Sequence, residues 1–260
     1  METLANSKTT KSTTSNECKI CNGIGWILDR ETNVAKKCEC YNEIIQDNML
    51  RFAKIPSEFE GMTVNSFDVG LYTGEEREKA IIAKKFVAGY IKNFLEMQEL
   101  GKGFYLYSRE RGSGKTRLAV SAGNAIIKTY KQRVRFVTTL DLLGSIKETY
   151  NEDSKYTEQK LMSEYCEIPI LILDDVGVEK AKPWVSEIFF KILDTRMTYK
   201  KVTIVTSNLA IDDLQHDERI KSRLSKMTIS MQMPEQDIRG KLGQQENKDI
   251  INRLIGSGTE

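Results

Sequence analysis

The sequence predicts an α/β protein with a central parallel sheet of five strands, preceded by a small zinc-ribbon-like module. A glycine-rich loop at residues 112–116 follows an apolar run and precedes a helical pattern. From that apolar run onward, strand patterns alternate with helical ones, as in parallel sheets that carry helices on both faces. Near the start of the chain, four cysteines form two close pairs, an arrangement typical of small zinc modules.

Composition limits the possible classes. The chain has 260 residues, of which 40% are hydrophobic, and a formal net charge of +2. This length suits one domain with a small appendage, and so small a net charge means that any nucleic-acid site must be a local patch. No apolar run is long enough to span a membrane, and residues 1–16 are rich in Ser, Thr and Lys. We therefore expect a disordered tail at residues 1–16 and a cytoplasmic protein without membrane association.

The cysteine pairs predict one tetrahedral zinc site. A module this small lacks an adequate apolar core, so bound Zn²⁺ would supply much of its folding free energy. Residues 26–28 and 34–37, between the pairs, have the pattern of two short strands. The second pair is C-x-C rather than C-x-x-C, and the alternative is two unrelated pairs of reduced cysteines. The predicted ligands are Cys18, Cys21, Cys38 and Cys40.

Helical spacing follows at residues 41–54 and is broken at Pro56, where we place a domain boundary. The prediction is a four-cysteine zinc-binding module with its helix at residues 17–55 and the α/β domain at residues 56–260. That domain opens with a long amphipathic helix at residues 75–100. Its predicted strands are 104–108, 133–139, 169–175, 202–208 and 227–233. Its other predicted helices are 115–130, 140–150, 158–164, 184–199 and 212–224.

The glycine-rich loop has the composition and context of a phosphate-binding loop. Its glycines allow backbone N–H groups to surround a phosphate, and the N-terminus of the next helix adds partial positive charge. Lys115 would reach the β- and γ-phosphates of ATP, and the Thr116 hydroxyl would hold Mg²⁺. Arg109 stands where the motif usually has its first glycine, so the turn there must be made differently. The alternative is a chance Gly-Lys-Thr in a β–α turn. The predicted nucleotide-binding residues of the loop are Gly112, Ser113, Gly114, Lys115 and Thr116.

Two later strands end in polar residues that suit the same site. The strand at residues 169–175 ends in Asp174 and Asp175, and the strand at residues 202–208 ends at Asn208. Neighbouring parallel strands end at one edge of the sheet, where ligands bind in α/β folds. Asp174 could hold Mg²⁺, Asp175 could deprotonate the attacking water, and the Asn208 amide could contact the γ-phosphate and that water. The alternatives are two solvated acids and an Asx turn.

Together these motifs resemble the AAA+ ATPases of the DnaA/DnaC branch. Within that branch the chain resembles the DnaC/DnaI-type replicative helicase loaders, particularly phage-encoded ones. The resemblance spans roughly residues 55–250 and implies an ATPase that uses ATP and Mg²⁺. In this family the corresponding residues are Lys115 and Thr116 of Walker A, Asp174 and Asp175 of Walker B, and Asn208 as the first sensor.

The same resemblance gives roles to three arginines. Arg223 matches the arginine finger, with Arg219 as the fallback, and Arg239 matches a second-sensor arginine that could contact the phosphates. A finger acts on the nucleotide of a neighbouring subunit, so a homo-oligomer is implied. The alternative for each arginine is a solvated helix charge. Too few residues follow Met233 for the helical lid of most AAA+ proteins, so we expect a domain without a full C-terminal lid, unlike the DnaA initiators.

The resemblance also implies partners, namely a hexameric replicative helicase held by the zinc module, and single-stranded DNA. Lysines would neutralise phosphates and a tyrosine could stack on a base, with a solvated face as the alternative. Three aromatic residues are expected in the core, the one histidine at the surface and the fifth cysteine as a buried thiol. One candidate DNA site is the cluster Lys128, Lys131, Arg133 and Arg135, and another is residues 138–143 with Lys147 and Tyr150 behind them. The other residues are Trp184, Phe189, Phe190, His216 and Cys166.

The function that follows from the resemblance is ATP-dependent loading of the helicase onto single-stranded DNA, with ATP binding and hydrolysis as an assembly and release switch. One alternative is an IstB-type transposition ATPase, whose core is very similar; the four-cysteine module favours a loader. Another is an ATP-binding adaptor that inhibits the host helicase. The presence of Lys115, Asp175 and Asn208 speaks against such an adaptor, because it would need no hydrolysis.

Overall fold

The computed structural model describes residues 18–30, 32–151, 157–179 and 182–256. The tail expected at residues 1–16 lies outside these ranges. The chain divides into two compact units, and the division falls between Met49 and Leu50. This division lies inside the helix predicted at residues 41–54, so that helix begins in one unit and ends in the other.

The first unit is built on a hairpin of two antiparallel strands, β1 (Trp26–Asp29) and β2 (Val34–Lys37), where the sequence predicts them. Helix α1 (Tyr41–Ala53) follows. Gly25 has φ +80°, a left-handed conformation that glycine adopts readily. Its N–H donates to Cys21 Sγ at 3.2 Å, and its carbonyl accepts from Cys38 N at 2.9 Å. One glycine therefore links the two cysteine pairs.

The second unit is an α/β domain whose strands and helices alternate as predicted. None of the helices in the described ranges combines the length and the hydropathy needed to cross a membrane. In chain order the elements are α2 (Gly74–Lys92), α3 (Phe94–Leu100), β3 (Gly103–Tyr107), α4 (Lys115–Tyr130), β4 (Val134–Thr138), α5 (Thr139–Glu148), α6 (Glu158–Glu167), β5 (Ile170–Val176), α7 (Pro183–Thr198), β6 (Val202–Ser207), α8 (Glu218–Met227), β7 (Thr228–Gln232) and α9 (Ile238–Gly256).

Two predicted helices differ from the structure. The helix predicted at residues 75–100 is divided at Asn93, whose ψ of 22° is not helical and whose side chain donates to the Gly89 carbonyl at 2.9 Å. Asparagine competes for backbone partners in this way and so interrupts helices. The helix predicted at residues 212–224 begins only at Glu218, because the Asp217 side chain caps it by accepting from Arg219 N at 2.8 Å.

The sheet has the strand order β4-β5-β6-β3-β7, and every neighbouring pair is parallel. The predicted five-stranded parallel sheet is therefore confirmed. Strand β5 is an almost continuous apolar run with six of its seven residues buried, as expected for a central parallel strand. Because β5 and β6 are neighbours and β3 adjoins β6, the carboxyl ends of these three strands lie together at one edge.

Helices cover both faces of the sheet. Leu171 and Leu173 of β5 pack in a core cluster with side chains of α5, α6, α7 and α8. The intervening Ile172 lies on the other face, against α4, where a Cβ at Gly123 would come within 2.7 Å of Ile172 Cδ1. Burying each such leucine or isoleucine contributes roughly 1.5–3 kcal/mol.

The expectations for isolated aromatic and thiol residues have mixed outcomes. Phe189 and Cys166 are buried as predicted, whereas Trp184 and Phe190 are only partly buried at the edge of the core. The surface position predicted for His216 is wrong. Its side chain is 2% exposed because it packs against Phe189 and faces the carboxylate of Glu179.

Candidate functional site

Both glycines of the phosphate-binding loop have backbone conformations that other residues rarely adopt. Gly112 has φ +70° and Gly114 has φ +88°. A Cβ on Gly112 would collide with the Asp237 carboxylate, and one on Gly114 would lie 2.7 Å from Phe67 Cε2. Arg109 is not among the described residues with positive φ, which explains how the loop forms without the usual first glycine.

Lys115 opens α4 and folds back over the loop. Its side chain is buried, and Nζ donates to the carbonyl oxygens of Glu110 at 2.8 Å and Ser108 at 3.3 Å. Burial lowers the pKa of Lys115, and the nearby charges of Asp175 and Asp174 oppose this shift. A buried ammonium whose hydrogen bonds go to neutral carbonyls favours an incoming anion.

Asp174 lies at the carboxyl end of β5 and is held from the neighbouring strand. Its Oδ1 accepts from Thr206 Oγ1 at 2.6 Å, and Thr206 Oγ1 accepts from Asp175 N at 3.0 Å. Burial raises the pKa of Asp174 to about 6, and hydrogen bonds from Thr206 and Thr116 oppose the rise. Thr116 and Asp174, the predicted magnesium ligands, are therefore close together, and their hydroxyl and carboxylate oxygens are donors that suit Mg²⁺.

A cavity of about 370 Å³ opens beside the loop. The predicted residues Asp175, Asn208 and Arg239 line it together with the loop itself. Arg239 is held there because its backbone N–H donates to the Gly112 carbonyl at 3.3 Å. The volume lies within the range of small-ligand sites. The other lining residues include Glu58, Phe59, Met62, Phe67, Asp68, Leu71, Tyr72, Arg117, Val178 and Leu242.

Several residues of the site have no signal in the sequence. The Tyr72 hydroxyl donates to the Ser113 carbonyl at 2.9 Å, and Phe67 packs beneath Gly114. Asn124 of α4 donates to the carbonyls of Phe59 and Met62 and so fixes the segment that precedes α2. Only Thr206 could have been found from sequence, because it stands two residues before Asn208 and therefore points to the same side of its strand.

Arg219 and Arg223 do not line this cavity. Both lie on α8, where Arg223 pairs with Asp194 at 2.6 Å and stacks on the Phe190 ring at 4.1 Å. Arg219 pairs with Asp217 at 2.9 Å. The structure thus places the two candidate finger arginines away from the candidate nucleotide cavity of their own chain.

The four cysteines of the first unit converge as the sequence predicts. Their Sγ atoms all lie within 4.8 Å of one another, with Cys18 and Cys38 at 3.7 Å and Cys21 and Cys40 at 3.3 Å. Four thiolates bound to one Zn²⁺ at about 2.3 Å are separated by roughly 3.8 Å. The number, chemistry and spacing of these donors therefore fit a tetrahedral zinc site.

Residues of the two candidate DNA sites differ in their contacts and exposure. Arg133 and Arg135 stack on the Phe52 ring, and Arg135 also donates to the Phe52 carbonyl at 3.0 Å. Lys147 lies over the Trp184 ring at 5.0 Å, and Tyr150 is 60% exposed. The two arginines are thus engaged in packing Phe52, near the end of α1, against the start of β4.

Comparison with known proteins identifies the family. The family model described as "IstB-like ATP binding protein" matches residues 2–219, which is most of the chain. The chain belongs to this family. The chain is 30% identical to the replicative helicase loader DnaC of Buchnera aphidicola subsp. Baizongia pistaciae over 136 residues, 52% of each chain. It is 25% identical to the replicative helicase loader DnaI of Bacillus subtilis over 173 residues, 66% of the chain and 51% of DnaI.

Solved structures of other proteins have the same fold as this chain. A crystal structure of the DnaC helicase loader superposes with a TM-score of 0.58 at 24% identity, covering 68% of this chain and 99% of that one. A DnaI crystal structure gives a TM-score of 0.56 at 23% identity, covering 69% and 94%. The predicted AAA+ fold and the resemblance to DnaC and DnaI are confirmed. The chain spans about half of the length of the curated relatives it matches.

Proposed function

We propose that this protein is an ATP-dependent loader that places a hexameric replicative helicase on single-stranded DNA. Its membership of an ATP-binding family and its similarity to proteins named as replicative helicase loaders support the proposal. The observation that carries it is the convergence of Lys115, Thr116 and Asp174 beside a cavity of about 370 Å³. The proposal implies a cytoplasmic protein.

Each residue at the cavity then has a defined task. The loop amides and Lys115 bind the phosphates, and Thr116 with Asp174 holds Mg²⁺, which neutralises phosphate charge when it is bound. Asp175 orients and deprotonates the attacking water, and Asn208 fixes that water relative to the γ-phosphate. Arg239, held against Gly112, adds a second positive charge at the phosphates. These groups make the protein an ATPase.

Hydrolysis in this proposal requires a neighbouring subunit. Arg223 lies outside the cavity of its own chain, so it acts on the nucleotide of the next subunit in a homo-oligomer. Hydrolysis is consequently slow in isolated subunits and faster in the assembly. ATP binding orders the assembly, and hydrolysis releases it.

The zinc module supplies the contact with the helicase. Its hairpin and cysteine loops expose a set of large apolar side chains, which suits a protein-binding surface. The exposed apolar residues of the module are Ile20 at 62%, Ile24 at 70%, Leu28 at 58% and Val34 at 52%.

Single-stranded DNA is bound by the ATPase domain, where exposed Lys128 neutralises phosphate and exposed Tyr150 stacks on a base.

A transposition ATPase is the second candidate, because the matching family is described by its IstB-like members. The same cavity would serve either function, so the partner distinguishes them. A loader binds a replicative helicase, whereas a transposition ATPase has no need of one.

Co-purification of the full chain with the replicative helicase of its host, with and without Mg-ATP, tests the proposal. We expect a complex that depends on ATP, that is lost in Lys115→Ala, and that is retained in Lys191→Ala, which removes an exposed lysine of α7. Failure to bind the helicase in any nucleotide state would reject the loader and leave the transposition ATPase.

A further inference from the structure

Two segments at the carboxyl edge of the sheet are joined by a buried contact between Glu179 and His216. Glu179 lies in the segment that follows β5, and His216 lies directly before Asp217, the residue that caps α8. His216 Nε2 is 2.5 Å from Glu179 Oε1, and each of the two side chains is 2% exposed. Charged or polar side chains buried this deeply are rare unless they are paired.

Further contacts fasten the same two segments. Glu179 Oε2 accepts from Gly177 N at 2.9 Å, and Gly177 has φ +95°. A Cβ on Gly177 would lie 2.8 Å from Leu214 Cδ2, so the segments approach closely there. Ser207 Oγ donates to the Val176 carbonyl at 2.6 Å. The segments after β5 and β6 therefore touch at Gly177 and Leu214 as well as at Glu179 and His216. The strands that precede them are joined at their ends by the hydrogen bond between Ser207 and Val176.

The contact with Glu179 uses one ring nitrogen of His216 and leaves the other unsatisfied within the described part of the chain. Nδ1 of His216 is buried and has no hydrogen-bond partner among the described residues. A buried polar atom without a partner destabilises the folded state. An apolar side chain in place of His216 would remove this loss but would leave the buried Glu179 carboxylate without its imidazole partner.

The contact lies between two parts of the proposed machinery. On one side, Asp175 of β5 and Val178 of the segment after it line the proposed nucleotide cavity. On the other, Asp217 accepts from Arg219 N at 2.8 Å and fixes the start of α8, which carries Arg223. The Glu179–His216 contact is a side-chain link between these two parts.

We propose that the Glu179–His216 contact transmits the nucleotide state of one subunit to the α8 arginines that the subunit presents to its neighbour. The inference rests on the proposed function. Separating the two side chains would leave a polar group buried without its partner on each segment, so a shift of one segment carries the other with it. Glu179 and His216 are positioning residues, and neither lies on the nucleotide.

Hydrogen exchange of the full chain, with and without Mg²⁺ and the ATP analogue AMPPCP, measures this coupling without requiring hydrolysis. In the wild type we expect the analogue to slow exchange in the phosphate-binding loop and in the first turns of α8, each by roughly 5-fold or more, the lower end of typical coupling. His216→Leu is expected to keep the slowing in the loop and lose it in α8. His216→Gln is expected to keep both, because its amide can still donate to Glu179.

Controls separate coupling from loss of stability. Met162→Ala removes a buried side chain of α6 that is 2% exposed, and it should keep the response of α8. If His216→Leu does not fold, the double variant Glu179→Leu/His216→Leu replaces it, since it removes both buried polar side chains together.

Four results would overturn the inference. Undiminished slowing in α8 of the leucine variant, or loss of that slowing in Met162→Ala, would show that the contact does not carry the coupling. A wild-type response confined to the loop would remove the coupling while leaving the nucleotide site intact. Absence of any response in the loop would reject the proposed nucleotide site, and the coupling with it.

Discussion

Two buried groups of opposite charge, Lys115 and Asp174, lie at the proposed nucleotide site. Burial lowers the pKa of Lys115 and raises the pKa of Asp174 to about 6, so each charged form is destabilised in the absence of a ligand. A phosphate would compensate the ammonium, and Mg²⁺ would compensate the carboxylate. Part of the ligand-binding free energy then comes from compensating these two destabilised charges.

Asp174→Asn is expected to stabilise the metal-free protein at pH 7.5 while weakening its affinity for Mg-ATP. The pKa of Asp174 is raised from 3.8 to about 6, chiefly by burial, so the ionised carboxylate destabilises the folded state above that pH. The gain from the substitution is at most about 3 kcal/mol. It should shrink as the pH falls from about 6 to about 4, where the carboxyl becomes protonated in both the folded and the unfolded state.

Thermal unfolding in EDTA between pH 4 and pH 8 measures this difference, and Asp212→Asn, at an exposed aspartate, is the matched control. An Asp174→Asn variant that is less stable than the wild type at pH 7.5 would show that the ionised carboxylate does not destabilise the folded state.

Sequence alone identifies the site residues that belong to motifs. It misses the residues that are distant in sequence and contact the site only in the folded structure. Lys115 and Asp174 follow from the loop and the strand that carry them. Tyr72, by contrast, contacts the loop across 41 positions of sequence, and His216 meets Glu179 across 37. Such contacts depend on how the elements pack, for which neither local spacing nor composition gives a signal.

At the level of elements, the sheet was predictable because its strands are apolar runs between helical patterns. The helix breaks were harder to predict, since they depend on side-chain hydrogen bonds of Asn93 and Asp217. Arg196 of α7 shows the same limit. It is fully buried and donates to the carbonyls of Tyr165, Ile168 and Val202, which ties α6, α7 and β6 together.

Arg196→Met is expected to lower the free energy of unfolding by roughly 3 kcal/mol or more, because three buried carbonyl oxygens lose their donor. Lys191→Met, on the exposed side of the same helix, should change stability by less than about 0.5 kcal/mol. Urea denaturation measures both variants. Equal stability of the two variants would mean that the arginine contributes nothing net.

The zinc module is expected to bind one Zn²⁺ per chain and to lose it in Cys21→Ser, because tetrahedral coordination needs all four thiolates. Cys166→Ser removes a buried thiol outside the cluster and should keep the metal. Metal analysis of the purified proteins gives the ratio. A wild-type protein without zinc, or zinc retained in Cys21→Ser, would remove the site.

For the molecule as a whole, the proposed site is complete only when subunits assemble. One chain brings together the phosphate loop, the acidic pair and Asn208, but its candidate finger arginines lie on α8, outside its own cavity. The sequence predicts this separation only through resemblance to AAA+ proteins, since an arginine that acts on another chain has no spacing relation to the motifs of its own.

Arg223→Ala is expected to bind ATP as tightly as the wild type and to lose most of its assembly-dependent hydrolysis, by about 10³-fold or more. Hydrolysis rates measured over a range of protein concentrations, together with ATP affinity, test this. Arg219→Ala is the matched comparison from the same helix. Full activity in Arg223→Ala with loss in Arg219→Ala would move the role of finger to Arg219.

Calorimetric titration of the full chain with Mg-ATP tests the nucleotide site most directly. The wild type should bind, and Lys115→Ala should lose at least about 100-fold in affinity, because a buried ammonium provides charge-assisted hydrogen bonds worth about 1.5–3 kcal/mol each. Lys128→Ala, which removes an exposed lysine from the same helix, should bind as the wild type does. Equal affinity in Lys115→Ala and the wild type would contradict the assignment of this cavity to ATP.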